Sequence, residues 1–370
     1  MLDPIPPIAD RPIRIALVGC GRISANHIKA IALQPKRAEL VAICDTQQDS
    51  LDRAQRLIVE AAAVNLGAAT SPVRFNTDAE LFSAVKAGRL ELDLVVLATP
   101  SGLHPGQAIA AADAGLHVCT EKPMATRWAD GKAMVKACEA AGVRLFVVKQ
   151  NRFNSTLQLV KRQLQAGRFG RLAMVTVTVF WQRPQSYYDQ AAWRGTWEFD
   201  GGALMNQASH YVDLLDWLVG PVESVSASIA TLGRAIEVED TAALQLRWRN
   251  GALGTMAVTM LTYPRNLEGS ITVLGETGTV RIAGPAVNQI EQWAFADDSP
   301  DDALVASASY QTTSAYGFGH APYYANMLDV LQGKAEALCD GRDGLRSLEL
   351  LISAYRSAED ERTVHLPLET

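Results

Sequence analysis

The sequence predicts an α/β protein in two parts: a doubly wound parallel sheet, then an α+β domain with a large, mainly antiparallel open sheet. Three observations predict it. The first third alternates apolar runs with Ala-rich helical stretches, the pattern of strand–helix–strand units. Past Asn151 several strand-like runs follow one another with no helix between them, as antiparallel strands do. The chain has 370 residues, more than the ~250–300 at which a single core stops growing, so two domains are the default.

Residues 13–18 (IRIALV) form a continuous apolar run ending in glycine, as a strand buried on both faces does. A helix is expected from Ser24 to Leu33 and a second strand over 39–44, ending at Asp45. Residues 93–98, 116–119 and 143–148 read as later strands. A helix over 155–166 then precedes an alternating strand, 172–181. An Arg/Gln/Tyr-rich loop occupies 182–200, and a helix runs from Ala203 to Leu218. Strands are expected at 222–231, 241–249, 253–262, 269–274 and 278–283, and helices at 320–332 and 343–358.

Composition narrows the function classes. A net charge of −6 argues against bulk binding to nucleic acid or to an anionic membrane. Cys20, Cys44, Cys119, Cys138 and Cys339 are scattered with no C-x-x-C spacing, so neither a metal site nor a disulfide frame is expected. The opening MLDPIPPIADRP lacks a basic segment followed by an apolar one, and no run approaches the ~18 apolar residues of a membrane span. A cytoplasmic protein is the expectation.

The first strand runs into Gly19-Cys20-Gly21-Arg22-Ile23-Ser24, a G-x-G-x-x-G loop with Ser24 in the third place. Gly19 permits the tight turn and Gly21 the close approach of a pyrophosphate; the following helix presents its N-terminal amides to that phosphate. Asp45, at the end of the second strand, is placed to accept from the adenosine ribose hydroxyls and to repel a 2′-phosphate, so NAD is expected over NADP. Carboxyl ends of parallel strands face the ligand crevice, which adds Thr99, Pro100, Ser101 and His104, and then Glu121 and Lys122. The expected cofactor-binding set is thus Gly19, Gly21, Arg22, Ile23, Asp45, Thr99, Pro100, Ser101, His104, Glu121 and Lys122.

A second constellation lies on the helix expected from Ala203. Asn206, His210, Asp213 and Trp217 recur at helical spacing and so share one face. A lone His on a partly apolar helix is more often a satisfied core residue. Asn206 one turn away, and Gly201-Gly202 leaving room for a ligand, favour a site instead.

These motifs together resemble the glucose–fructose oxidoreductase / inositol dehydrogenase (Gfo/Idh/MocA) family. The carriers are G-x-G at Gly19 and Gly21, T-P-x-x-x-H from Thr99 to His104, Glu121-Lys122-Pro123, and Gly201-Gly202 with His210 and Asp213. The resemblance implies a Rossmann domain for NAD, Lys122 as catalytic lysine, His210 as catalytic histidine, and assembly as a dimer or tetramer, the tetramer favoured. Many members carry Asp where this chain has Asn206; Asn cannot exchange a proton, though it can hydrogen-bond a sugar hydroxyl. The resulting plan is a flexible arm (1–12), a NAD-binding domain (13–150), a substrate-binding and oligomerisation sheet domain (151–340), and a C-terminal helix and tail (341–370) packing back toward the first domain.

A narrower resemblance lies in the runs from Lys149 to Asn154, Ala192 to Trp197 and Gly202 to His210. They look like those of the UDP-N-acetyl-D-glucosaminuronate 3-dehydrogenases of lipopolysaccharide O-antigen synthesis. Such a substrate carries a diphosphate and a carboxylate, which arginine forks suit. Lys149, Arg152, Arg183, Arg194 and Arg265 are the candidate cations, and Tyr187, Tyr188 and Trp193 the candidate stacking groups. The expected substrate-binding set is Lys149, Arg152, Asn154, Arg183, Tyr187, Arg194, Asn206 and His210. The implied reaction oxidises the C3 hydroxyl, with Lys122 and His210 as an acid–base unit in which the first proton acceptor stays open. The alternatives are a dehydrogenase of a free polyol or aldose, and a non-catalytic NAD or sugar sensor. The apolar Met256, Val258 and Met260 on one side of strand 253–262 are expected to need cover, and a second subunit is one way to provide it.

Overall fold

The computed structural model describes residues 6–64, 71–312 and 317–368. Its contacts divide the chain into two compact units, Met1–Val148 with His320–Leu345, and Lys149–Gly319 with Arg346–Thr370.

The first unit holds a six-stranded parallel sheet built from β1 (Ile13–Val18), β2 (Ala38–Cys44), β3 (Val73–Phe75), β4 (Leu94–Leu97), β5 (His117–Thr120) and β6 (Leu145–Val147). Its order is β3-β2-β1-β4-β5-β6. The chain therefore winds one way from β1 and then the other, and the reversal falls between the carboxyl ends of β1 and β4, where such sheets bind ligands. All four residues of β4 and five of the six in β1 are buried, which is why both read as unbroken apolar runs. The short β3, with two of its three residues exposed, gave no such signal.

Residues 1–5 of the expected arm lie outside the described residues. From Pro6 onward the segment is tied down: Ile8 donates to Leu331, and the Arg11 guanidinium grips Asp93 through two bonds of 2.5 and 2.7 Å. The helix His320–Leu331, expected in the sheet domain, belongs here, because it packs on the helix Ser24–Ala32.

The second unit is built on eight strands: β7 (Leu172–Phe180), β8 (Val222–Ala230), β9 (Thr241–Trp248), β10 (Leu253–Thr259), β11 (Glu268–Gly275), β12 (Gly278–Ala283), β13 (Gln289–Phe295) and β14 (Val364–His365). Their order is β13-β12-β11-β7-β10-β9-β8-β14. Every ladder is antiparallel except the central β7–β10 pair. The edge strands were not foreseen: β13 buries little, and β14 is two residues in the tail expected to pack toward the first domain, which pair instead with Ser224 and Val225.

Val177, Val179, Leu244, Leu246, Met256, Val258, Ile271 and Val273 form the buried face of this sheet. Turn residues 203–207 touch β9 and β10, and the helix Ser155–Gln165 touches β12. Met256, Val258 and Met260 are at most 1% exposed within one chain, so the expected cover comes from the chain itself and not from a second subunit. Alternation tells which side of a strand is apolar, not what covers it. The other face is small and polar, with Thr176, Thr178, Thr255 and Gln245. At its end the register partners Met174 and Leu253 are both exposed. All five cysteines are free and buried. Among the described residues no helix is long and apolar enough to cross a membrane.

Candidate functional site

The first unit gathers the expected cofactor residues at the carboxyl ends of β1, β2, β4 and β5. The two glycines of the loop do different things. Gly19 has φ +94°, and a Cβ there would fall 2.6 Å from the backbone of Ala98, so it allows β1 and β4 to close up. A Cβ on Gly21 would meet nothing within 4 Å, leaving open space beside the loop for a ligand. Ser24, fully buried, donates to Gly21 O at 2.6 Å and fastens the helix to the loop. Ile23, at the start of that helix, makes no side-chain cap, while Arg22 is exposed. This is the arrangement that receives a pyrophosphate.

Asp45 does more than the motif implies. Its Oδ2 accepts from Cys20 N and its Oδ1 from Gln47 N, both at 2.8 Å, so the carboxylate joins β2 to the glycine loop. Each oxygen retains a lone pair for a ribose hydroxyl. Thr99 Oγ1 lies 2.6 Å from Gln107 Oε1, and Pro100 leads into the single turn Ser101–Leu103. His104 is placed differently from expectation. It is fully buried, with its ring nitrogens 2.9 Å from Thr99 O and 3.0 Å from Pro123 O. It braces the two loops against each other, and burial pushes its pKa down.

Glu121 is also buried, and its partners come from two distant segments. His27 Nε2 lies 3.1 Å from Glu121 Oε1, while His27 Nδ1 lies 2.8 Å from the Tyr324 hydroxyl. Burial opposes the charge on Glu121, but the hydrogen bond with His27 and the nearby His320 ring, whose Nε2 is 4.0 Å from Oε1, outweigh it and hold the carboxyl well below its usual range. Lys122 donates its own backbone amide to Glu121 Oε2 at 3.1 Å. The lysine that the family resemblance marks as catalytic thus follows a carboxylate anchored on both oxygens. His27, Tyr324 and His320 carried no signal in the sequence, since no spacing rule connects them to Glu121.

The second unit sorts the expected substrate residues into two groups. In one, Arg152 Nε and Nη2 donate to Asp213 at 2.8 and 2.7 Å, Ser347 adds a bond of 2.7 Å, and Lys149 Nζ stands 3.4 Å away. These ion-pair side chains are at most 3% exposed. Burial opposes the Asp213 charge, yet Lys149 and Arg152 drive its pKa far down. Both cations, expected to meet the substrate, are engaged with a buried carboxylate. Asn154, equally buried, donates to Ala286 O at 2.8 Å.

In the other group Arg183, Tyr187 and Arg194 come together. The Arg194 guanidinium sits 4.3 Å from the Tyr187 ring centre and 4.7 Å from that of Trp193, and Arg183 lies 5.2 Å from Trp181. Gln207, which the sequence did not single out, links them by accepting from Arg183 Nε at 3.0 Å and donating to Tyr187. Arg194 Nε is buried with no hydrogen-bond partner among the described residues. A buried guanidinium nitrogen so left suits an incoming anion.

The helix expected from Ala203 is broken. Ala203–Gln207 is a single π turn, and the α-helix begins at Ser209. Asn206 therefore lies off the face shared by His210, Asp213 and Trp217, and its amide donates to Asp200. His210 Nε2 lies 3.0 Å from Gln150 Nε2. With the Gln150 amide oriented this way its nitrogen donates and Nε2 accepts. Gln150 was visible inside the Lys149–Asn154 run but had no assigned role. The glycine pair is corrected as well. Gly201 has φ +77°, and a Cβ on Gly202 would fall 1.7 Å from Glu239 Oε2, so Gly202 makes room for a side chain of the protein.

The chain is an oxidoreductase: it belongs to the Gfo/Idh/MocA oxidoreductase family. Residues 13–149 match its NAD-binding Rossmann fold and 161–366 its C-terminal alpha/beta domain. Among solved structures it is similar to the WlbA dehydrogenase from Bordetella pertussis in complex with NADH and UDP-GlcNAcA. That likeness is 60% in identity, covers 98% of this chain and 100% of that one, and has a TM-score of 0.90. The WlbA dehydrogenase from Chromobacterium violaceum, also with NADH and UDP-GlcNAcA, is 54% identical over 99% of each chain, with a TM-score of 0.88. More distant is the D-apiose dehydrogenase of Paraburkholderia graminis, 28% identical over 95% of this chain and 89% of that protein.

Proposed function

We propose that this chain oxidises the C3 hydroxyl of UDP-N-acetyl-D-glucosaminuronic acid to the 3-keto sugar, with NAD as oxidant. The observation that carries the reading is the 60% identity, across nearly the whole chain, to a dehydrogenase bound to NADH and UDP-GlcNAcA. The Arg183–Tyr187–Arg194 cluster supports it, since a free polyol would not call for stacked guanidinium groups with a buried unpaired nitrogen.

The Gly19–Ser24 loop and Asp45 would hold NAD, which when bound accepts the hydride from C3. The hydroxyl proton goes to the protein. Lys122 and His210 form the acid–base unit for it, Lys122 following the anchored Glu121 and His210 accepting from Gln150. Asn206 orients a sugar hydroxyl without exchanging a proton. Arg183 and Arg194 take the acidic groups of the substrate, and Tyr187 packs beside them.

The reading extends to a cytoplasmic homotetramer serving synthesis of diacetamido-uronic acid sugars for O-antigen. Exposed Met174 and Leu253, side by side on the outer sheet face, support assembly through that face. Light scattering at micromolar concentration tests it; a mass near that of one chain overturns it.

The function is tested by incubating the protein with NAD and, separately, UDP-GlcNAcA, UDP-GlcNAc, UDP-glucuronate, myo-inositol and D-glucose. NADH absorbance is followed with and without 2-oxoglutarate, and the sugar product is read by mass spectrometry. Loss of two hydrogens from UDP-GlcNAcA is expected. Preferential turnover of a free polyol overturns the reading, and NAD binding with no turnover favours a sensor.

A further inference from the structure

Glu239 precedes β9 and is 2% exposed. Its neighbour Asp240 has an ordinary loop role, accepting from the amides of Leu232, Gly233 and Arg234 at 2.8–3.0 Å. Glu239 reaches elsewhere. Its backbone oxygen accepts from Ala203 N at 2.9 Å, and its Oε1 accepts from Leu204 N at 2.8 Å and from the Tyr355 hydroxyl at 2.9 Å. The same hydroxyl accepts from Met205 N at 3.2 Å. Three consecutive amides at the start of the π turn therefore all end on Glu239 or Tyr355.

A helical segment must find acceptors for its first amides, and a Ser, Thr, Asp or Asn at the N-cap normally supplies one. Here the N-cap is Gly202, which has no side chain to offer. The three atoms nearest to a Cβ built on Gly202 all belong to the Glu239 carboxyl group, at 1.7 to 2.3 Å. The glycine and the carboxyl are thus one device: the missing side chain leaves the space from which a distant residue caps the turn. Asn206 sits inside that turn, and the helix carrying His210 starts two residues beyond its end. Single π turns are rare and concentrate at functional sites.

We propose that Glu239, seated in the space left by Gly202 and backed by Tyr355, is a positioning residue that sets the π turn, and through it Asn206 and His210, for the substrate. It touches neither substrate nor cofactor. The proposal deepens the functional reading above and rests on it for the identity of the substrate.

The test uses Glu239→Gln, Glu239→Ala, Gly202→Ala and the double variant Gly202→Ala/Glu239→Ala. Each is assayed for kcat and KM with UDP-GlcNAcA, for NAD affinity by titration, and for Tm. Misplacement of about 1 Å can cost ~100-fold in rate, so Glu239→Ala should lower kcat/KM at least ~10-fold while NAD affinity stays within about twofold. Glu239→Gln keeps Oε1 and the volume and should restore kcat/KM to within about threefold of the parent. Gly202→Ala should lower kcat/KM like Glu239→Ala, and the double variant should be no worse than the poorer single one, because the new methyl clashes only with the carboxyl that the second change removes. If Glu239→Ala does not fold, Glu239→Asp, one methylene shorter, takes its place. Unchanged kcat/KM in Glu239→Ala, failure of Gln to rescue, or additive losses in the double variant overturns the proposal. A parent protein with no turnover of UDP-GlcNAcA sinks the functional reading instead. The coupling of Gly202 to Glu239 is then still read in Tm, where additive losses overturn the proposal.

Discussion

Arg152 and Asp213 form a two-bonded ion pair, 2.8 and 2.7 Å, with both side chains at most 3% exposed. Lys149 and Ser347 complete the surroundings of the carboxylate. Removing one member of a buried pair leaves the other charge uncompensated, which typically costs about 3–5 kcal/mol. Arg152→Ala should therefore lower Tm and the denaturation midpoint markedly, whereas a substrate contact alone would raise KM and leave stability intact. Equilibrium urea unfolding of the purified variant decides between them. Because the native pair depresses the Asp213 pKa, its contribution is fully present above the ordinary value of 3.8 and is lost as pH falls through the lower native value. Asp213→Asn should lose that part of the acid dependence.

Lys122→Ala and His210→Ala should each lower kcat by about 10²–10⁴-fold, the usual contribution of a general acid or base. NAD affinity should remain near that of the parent, since the proton assigned to them in the proposed reaction moves only at the barrier. As one acid–base unit, the pair should lose little more in the double variant than in the poorer single one. Steady-state kinetics with NAD titration reads all three, and a near-parental kcat in both single variants removes the site.

NAD should bind much more tightly than NADP, because the Asp45 carboxylate, at the end of β2, would face the 2′ position of a bound ribose. The same carboxylate accepts from the amides of Cys20 and Gln47, so Asp45→Ala should narrow the gap partly by weakening NAD. Comparable dissociation constants for the two dinucleotides with the parent protein would refute the assignment.

The Glu239 carboxyl is pushed up from its ordinary 4.5 to about 7 by burial, against the pull of the Leu204 amide and the Tyr355 hydroxyl, with Asp240 nearby adding to the rise. The folded chain thus holds this proton more tightly than the unfolded one. Its contribution is full below the ordinary value and is lost as pH rises toward about 7, a difference on the order of 3 kcal/mol. Glu239→Gln, which cannot ionise, should flatten the fall in Tm across that window. An unchanged slope would show that the carboxyl titrates elsewhere.

Apart from β3, the edge strands β13 and β14 and the break after Gln207, the order of strands and helices was legible in the sequence, as were the glycine loop and the position of Asp45, because each depends on residues close together in the chain. Buried parallel strands need unbroken apolar runs, and a turn at φ +94° favours glycine at position 19. The family resemblance likewise stood on short motifs. Tertiary structure alone decided which polar groups meet. Arg152 read as a substrate cation and is paired with Asp213; Gly202 read as room for a ligand and holds Glu239; Met256 and Val258 read as an open face and are covered by their own chain. His27, Tyr324 and Glu121 come from three separate segments. Local periodicity specifies which side of an element is apolar and where its ends lie. The partner of a buried charge, or of a missing side chain, is set by contacts between distant segments, and these exist only once the chain has folded.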